Sequence, residues 1–433
     1  MSNSNTASPI PLSAARAVVL HAQQLDAPLV DGAPDADAIY DAVERVGWVQ
    51  LDTLQMVRRS QYVALWSRLG AYDTAEFDRL IFGDGTLNPD TDDGDDNGNA
   101  RRLFEYWMHA ACVIPLTLYR FAIPTMRRHA NPQGKRRREW LQDPANIETL
   151  DGVMQHVREH GLARSADFER TDGRRGTWWD WKPAKVALEH LYNTGELTIA
   201  NRVNFQRIYG ITETVLPHWV DTTPPSEEEA YLTLLDKSAR ALGVCSLMQI
   251  PDYFHMKRTP AKPLVQRMLD EGTLVGVDVH MPDGTVAAQV VHRANLPLLA
   301  RAADGEISPQ RTTFLSPFDS LFWAKGRDVQ FWGFRQILEA YKPAPIREWG
   351  YFCLPILRNG ELIGRFDPKL ERKDATLRLK HIYLEPGVKP DDAIVADIAA
   401  AMHSFLSFHA ATDIVIEQST PRGLRRKLLA ALR

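Results

Sequence analysis

Apolar residues recur at helical spacing in Leu188-x-x-Leu191 and again in Val265-x-x-Met268. Both runs continue in the same way, to Gly195-x-Leu197 and to Gly272-x-Leu274. This is the pattern of an amphipathic helix that ends on a glycine able to take a left-handed cap and then passes into a strand. Residues 196–200 and 205–209 flank a polar turn in the first copy, and 273–280 and 285–292 flank Pro282-Asp283-Gly284-Thr285 in the second. Each pair predicts a β-hairpin. Upstream, 148–159 and 226–241 read as helices, followed by the short segments 165–168 and 246–254. Helix, short helix, helix and two-stranded wing is the order of a winged helix, and it occurs twice.

The N-terminal segment fits a third copy. Ser13 is the expected cap of an Ala-rich helix running to about Leu25, and Ile39, Val43 and Val46 form one helical stripe ending at Gly47. Residues 48–52 then read as a short strand. Residues 53–69 read as a helix with Leu54, Val57, Leu65 and Leu69 inside and Arg58, Arg59 and Arg68 outside. After Arg311 the character changes. Residues 351–357, 361–366 and 377–384 alternate around Arg358-Asn359-Gly360, which predicts an antiparallel meander, and a helix over 393–409 and a strand over 413–417 follow. The predicted fold class is therefore α+β, with three tandem winged-helix domains (10–140, 141–222 and 223–310) and a β-barrel-like C-terminal domain (311–433).

Composition narrows the function classes. The 433 residues are 44% hydrophobic and 24% charged, and no apolar run reaches the roughly 18 residues of a membrane helix. The first residues lack the basic flank and apolar stretch of a secretory signal. Cys112, Cys245 and Cys353 lie far apart with no C-x-x-C pair. These features suit a reducing cytoplasm and small buried side chains at each cysteine. A net charge of -4 decides nothing about nucleic acid, but its distribution does more. Residues 101–140 carry Arg101, Arg102, Arg120, Arg127, Arg128, Lys135, Arg136, Arg137 and Arg138 against only Glu105 and Glu139. Lys135 to Arg138 are the candidate phosphate contacts, although a basic run is more often a solvated face. Just before it, Asp84, Asp90, Asp92, Asp93, Asp95 and Asp96 lie among Gly and Asn, a composition that reads as a mobile loop.

Chemistry points to the strand 48–52. With Val49 and Leu51 facing the core, Gln50 and Asp52 share the other face, roughly 7 Å apart. An amide beside a carboxylate can hold a water, the amide fixing its direction and the carboxylate accepting its proton, which is general-base hydrolysis. A Gln-x-Asp triplet alone is more often two solvent-facing polar residues on an edge strand, so context decides.

That context is recognisable. Gln50-Leu51-Asp52-Thr53-Leu54, Ser60-Gln61-Tyr62 and Leu65-Trp66-Ser67-Arg68-Leu69-Gly70 resemble the YcaQ/AlkX–AlkZ family of interstrand-crosslink DNA glycosylases, whose catalytic signature is Gln, an apolar residue, then Gln or Asp. Further similar segments are Glu105-Tyr106-Trp107-Met108-His109, Arg164-Ser165-Ala166-Asp167-Phe168, Trp178-Trp179-Asp180-Trp181-Lys182-Pro183 and Asn204-Phe205-Gln206-Arg207. Later come Leu315-Ser316-Pro317-Phe318-Asp319 and Lys342-Pro343-Ala344-Pro345 with Gly350-Tyr351-Phe352. The resemblance covers about residues 10–420. It implies tandem winged helices with a C-terminal β-domain, Gln50 and Asp52 as catalytic residues, and double-stranded DNA with alkylated or crosslinked bases as substrate. It also implies a monofunctional enzyme, here expected to be a monomer and nucleoid-associated through DNA. Ala110 follows His109 where the family often carries a glutamate, so any role of that acid is absent.

The other expected DNA contacts are Arg58, Arg59, His109, Lys182 and Lys185, the last two opening the third helix of the second winged unit. His109 and Cys112 are spaced i, i+3, but no second pair stands at ligand spacing, so no metal is expected. No G-x-x-x-x-G-K-[ST] or G-x-G-x-x-G is present, so no nucleotide cofactor is expected either. The competing reading is a non-catalytic winged-helix DNA-binding regulator, which would have no need of the Gln50/Asp52 pair.

Overall fold

In the computed structural model, residues 8–29, 32–84, 100–108, 110–169 and 182–433 are described. Most of the Asp-rich stretch (85–99), His109 and Trp178, Trp179 and Trp181 lie outside the described residues. The chain forms two units that alternate along the sequence. One comprises Met1–Thr74, Met108–Ala111 and Leu234–Arg433, the other Ala75–Trp107 and Cys112–Thr233. Helices and strands are mixed throughout, an α+β arrangement, and no helix among the described residues is long and apolar enough to cross a membrane.

The two repeated patterns fold alike. The first runs from helix Pro144–His160 through strand Leu162–Ala163 and the 3-10 turn Ser165–Asp167 to helix Pro183–Thr194, then strands Leu197–Val203 and Gln206–Ile211. The second runs from helix Glu227–Leu242 through strand Val244–Cys245 and helices Gln249–Tyr253 and Arg258–Asp270 to strands Leu274–His280 and Val286–His292. In each the short strand pairs with the last strand, so the sheet order is the same. The periodic sequence dictates this. Leu188 and Leu191 are buried on one helix face, and Gly195 at φ 82° turns the chain into the strand. The first hairpin closes through Asn204 and Phe205, both at positive φ.

The first unit holds one large core. The N-terminal helix Leu12–Ala22 contributes Val18, Val19 and Leu20, and Val244, Val291, Leu315, Phe331 and Leu357 pack with them. Strands Thr312–Phe314, Leu354–Arg358, Glu361–Glu371, Thr376–Leu384 and Asp413–Thr420 form one sheet in that order.

Three details differ from the sequence expectations. The five-stranded sheet is open, and no barrel closes among the described residues. Helix Asp392–Phe408 crosses over between the last two strands and makes them parallel, so Thr312–Phe314 and Asp413–Thr420 remain as separate edges instead of pairing. The N-terminal helix starts one residue before Ser13, with Pro11 at its N-cap position and no side-chain cap. Finally, the helix expected over 53–69 occupies only Ser60–Leu69. The Asp52 carboxylate takes the Leu54 N–H at 2.7 Å, and the carbonyls of Met56 and Val57 are taken by Leu370 N and Arg372. The backbone of that stretch is satisfied outside a helix.

Candidate active site

The chain enters the site through helix Ala36–Val46, which stops at Gly47 in a left-handed cap at φ 84°. A Cβ there would come within 2.9 Å of the Phe254 ring, so both conformation and space require glycine. Trp48 follows, fully buried, with Trp323 at 3.9 Å and Phe254 stacked at 5.5 Å between ring centroids. This packing fixes strand Val49–Gln50, and Leu51 N donates to Ala111 O at 2.8 Å.

Burial does not simply alternate along this strand. Val49, Gln50 and Leu51 are all buried, because Phe318, Ser320 and Trp323 roof the Gln50 side. Gln50 instead lines a small cavity with Val46, Ala64, Leu65 and Arg68, holding about the space of one water. Among the described residues nothing hydrogen-bonds the Gln50 amide. Asp52, two residues on, is half-buried at the point where the strand ends. Burial raises its pKa above the ordinary aspartate value, against the lowering effect of the Leu54 and Thr53 backbone N–H groups. A buried amide lining a water-sized space and, two residues on, a carboxylate made more basic by burial are the two kinds of group that orienting and deprotonating a water requires, although Asp52 does not itself line that space.

The support beneath was not legible as such from sequence. Arg68, expected outside, is 3% exposed and pairs bidentately with Asp319 at 2.7 and 2.9 Å, adding bonds to Gln23, Ser320 and Ala64 O. Ser60 and Ser316 hydroxyls meet at 2.6 Å. Helix Ser60–Leu69 and residues 315–320 thus form one buried polar lock under Gln50. Such a lock makes the shelf rigid. The expectation of an outward Arg68 failed because helical spacing alone cannot show that a buried carboxylate from residue 319 waits on that face.

Residues 43–408 match the family described as DNA glycosylase AlkZ-like. The chain belongs to that family. Its structure is also similar to the Streptomyces sahachiroi DNA glycosylase AlkZ, with a TM-score of 0.56 at 15% identity, covering 94% of this chain and 100% of that one, a likeness of fold. As an AlkZ-like glycosylase it hydrolyses N-glycosyl bonds of DNA and serves DNA repair.

The remaining candidates of this AlkZ-like glycosylase are distributed over both units. Arg58, half-buried, donates to Phe408 O at 2.8 Å and Thr74 Oγ1 at 3.1 Å and lies over the Phe408 ring, so its guanidinium is occupied within the protein. Arg59 is half-buried at the N-cap of helix Ser60–Leu69. In the second unit, Lys135, Arg136, Arg137 and Arg138 are all exposed on helix Lys135–Gln142, with Lys135 near Glu139 at 3.7 Å. Lys182 stands at the N-cap position of helix Pro183–Thr194 without capping it and donates to Phe168 O at 3.1 Å, and Lys185 lies in the first turn. Glu105, in the segment that also carries His109, is a structural group: it is 1% exposed and accepts Arg202 at 2.6 Å and Arg207 at 2.9 Å. Among the described residues no group of three or more His, Cys, Asp or Glu is placed to hold a metal, and all three cysteines are buried.

Proposed function

We propose that this glycosylase excises N7-alkylguanine-type lesions from double-stranded DNA, and unhooks interstrand crosslinks made through such bases, acting as a monofunctional monomer that leaves an abasic site. The observation that carries the reading is the Gln50–Asp52 pair: an amide over a water-sized space and a half-buried carboxylate with a raised pKa. Alkylation at N7 makes the purine cationic, so it departs without a strong general acid. What the enzyme must supply is a negative charge beside the developing oxocarbenium and a water at the anomeric carbon. Asp52 does both. Its carboxylate stabilises the sugar cation and then takes the proton from the attacking water, whose oxygen forms the new bond to the anomeric carbon as the base leaves with the glycosidic electron pair. Gln50 holds that water in line.

The two repeats with the same element and sheet order, residues 141–222 and 223–310, and the segment 10–140 are each read as a winged helix that binds duplex DNA. Lys182 and Lys185 open the third helix of the middle one, where a winged helix meets phosphates.

The direct test is incubation with duplex DNA carrying one N7-methylguanine or one N7–N7 crosslink, followed by alkali and denaturing electrophoresis. An alkali-labile break at the lesion and a freed crosslink are expected. Intact lesion DNA, from a preparation that excises another damaged base, would overturn the lesion assignment. Gln50→Ala should retain more activity than Asp52→Asn, because orienting a water contributes less than accepting its proton. The reverse order in single-turnover excision would mean the two roles are exchanged.

The exposed basic helix gives a second test. Replacing Lys135, Arg136, Arg137 and Arg138 together by Gln should weaken binding equally for damaged and undamaged duplex. For each phosphate that is no longer neutralised, the slope of log K against log salt should fall by about 0.9. Excision at saturating enzyme should stay near wild type. An unchanged salt slope would show the run to be a solvated face.

A further inference from the structure

The segment that joins Asp52 to the next helix has a conformation that its own sequence does not impose. Residues 53–59 continue the helical pattern of Ser60–Leu69, yet only the latter is helical. Extended toward the N-terminus, that helix would bond the carbonyls of Met56 and Val57 to the N–H groups of Ser60 and Gln61. Both carbonyls are instead engaged by residues more than 300 positions away in sequence. Leu370 N donates to Met56 O at 2.7 Å. Arg372 donates to Val57 O at 2.8 Å and, more weakly, to Gln55 O at 3.4 Å. Arg58, which follows, donates to Phe408 O at 2.8 Å.

Leu370 and Arg372 stand at the end of strand Glu361–Glu371 and in the turn after it, and this turn is firmly held. Leu370 pairs with Leu377 and Glu371 with Thr376 on the next strand, Asp374 N donates to Glu371 O at 3.1 Å, and the Glu371 carboxylate accepts Arg378 at 3.0 Å. Asp52 is tied to the loop that the turn holds. Its carboxylate takes the Leu54 N–H at 2.7 Å, so the place of that N–H decides where the carboxylate points. Arg372 is itself exposed, and the carbonyls of Gln55 and Val57 are the only groups its guanidinium bonds among the described residues. Lys373, one residue on, is exposed too and makes no bond to the loop.

We propose that Arg372 is a positioning residue for base excision: by donating to the carbonyls of Gln55 and Val57 it keeps residues 53–59 out of the helix and the Asp52 carboxylate in its reactive place. The inference rests on the reading of Asp52 as the proton acceptor. Arg372 touches no reacting atom and acts through the loop alone. A guanidinium suits the task, because its planar fork reaches two carbonyls at once and stays charged, whereas an ammonium is a single point. A carboxylate displaced by about 1 Å can cost 10²-fold in rate. Binding should not suffer, because duplex affinity is dominated by phosphate contacts elsewhere.

The test compares wild type, Arg372→Met, Arg372→Lys, Lys373→Met and Asp52→Asn. Single-turnover excision of N7-methylguanine, or of another damaged base that wild type releases, is measured across enzyme concentration together with thermal melting. Arg372→Met should lower the maximal rate by about tenfold to a hundredfold and leave the half-saturating enzyme concentration unchanged. Arg372→Lys should fall between the two, since an ammonium can still donate to the Val57 carbonyl. Lys373→Met, which removes the same charge without touching the loop, should match wild type. An equal loss in Lys373→Met would make the effect one of charge and overturn the role of Arg372. A raised half-saturating concentration with the maximal rate kept would mark a phosphate contact and overturn it as well. So would a loss that vanishes at temperatures where Arg372→Met is fully folded, the behaviour of a brace for stability. Arg372→Met at the wild-type rate beside an inactive Asp52→Asn overturns this inference alone. Asp52→Asn at the wild-type rate overturns the reading beneath it.

Discussion

Asp52→Asn is expected to lower single-turnover excision by about 10²–10⁴ while leaving DNA affinity and fold intact, since one positioned proton acceptor is typically worth that much. The substitution preserves shape, and an asparagine oxygen can still accept the Leu54 N–H that now ends on the carboxylate at 2.7 Å. What it removes is the negative charge and the basic site. The sign of the stability effect follows from the raised pKa. Burial makes the folded chain hold the Asp52 proton more tightly than the unfolded chain does, so ionisation disfavours the fold as pH rises through that pKa. At neutral pH the neutral asparagine should therefore melt at or slightly above wild type. The same shift fixes the pH profile of wild type. Excision should rise with pH through an apparent pKa above that of an ordinary aspartate, and then level. A variant that cleaves N7-methylguanine within threefold of wild type, or a wild-type rate that is flat from pH 4 to 8, would remove Asp52 from the chemistry.

Much of this was legible in the sequence, and what was not has a physical reason. The repeated helix-Gly-strand pattern located both hairpins because period 3.6 giving way to period 2 is a local signal. Gly47 and Gly195 marked helix ends for the same reason, since a left-handed cap is a property of one residue. The Gln50-x-Asp52 pair was found by alternation, yet alternation mispredicted its environment: the roof over Gln50 comes from Phe318, Ser320 and Trp323, more than 260 residues away in sequence. The late start of the expected helix over 53–69, at Ser60, likewise depended on Leu370 and Arg372 taking the carbonyls of Met56 and Val57. The open sheet in place of a barrel depended on a crossover helix whose presence was read but whose consequence, a parallel last strand, was not. Helix Arg422–Ala431 carries its own local signal in Leu424 and Leu428 at i, i+4, both fully buried.

The largest stability effect is expected at the lock under Gln50. Arg68 and the Asp319 side chain are within a few per cent of complete burial, and their two parallel hydrogen bonds satisfy most of what burial takes from each charge. Arg68→Met removes the cation and leaves the Asp319 carboxylate enclosed with only the Leu321 N–H at 3.0 Å. Breaking a buried pair in this way costs about 3–5 kcal/mol. For a unit of roughly this size that is a fall in melting temperature of about 10 °C, read by tryptophan fluorescence. Asp319→Asn should cost less, because the amide still accepts from Leu321 and from one guanidinium nitrogen. The double variant Arg68→Met/Asp319→Leu should be more stable than Arg68→Met alone, since no lone buried charge remains. With Asp319→Leu as the second single variant, additive losses in the cycle would show the two groups to be independent. Because Arg68 also lines the Gln50 cavity, all three variants should slow excision at temperatures where they remain folded, with Asp319→Asn the mildest. A stable Arg68→Met that excises at the wild-type rate would mean Gln50 needs no such floor.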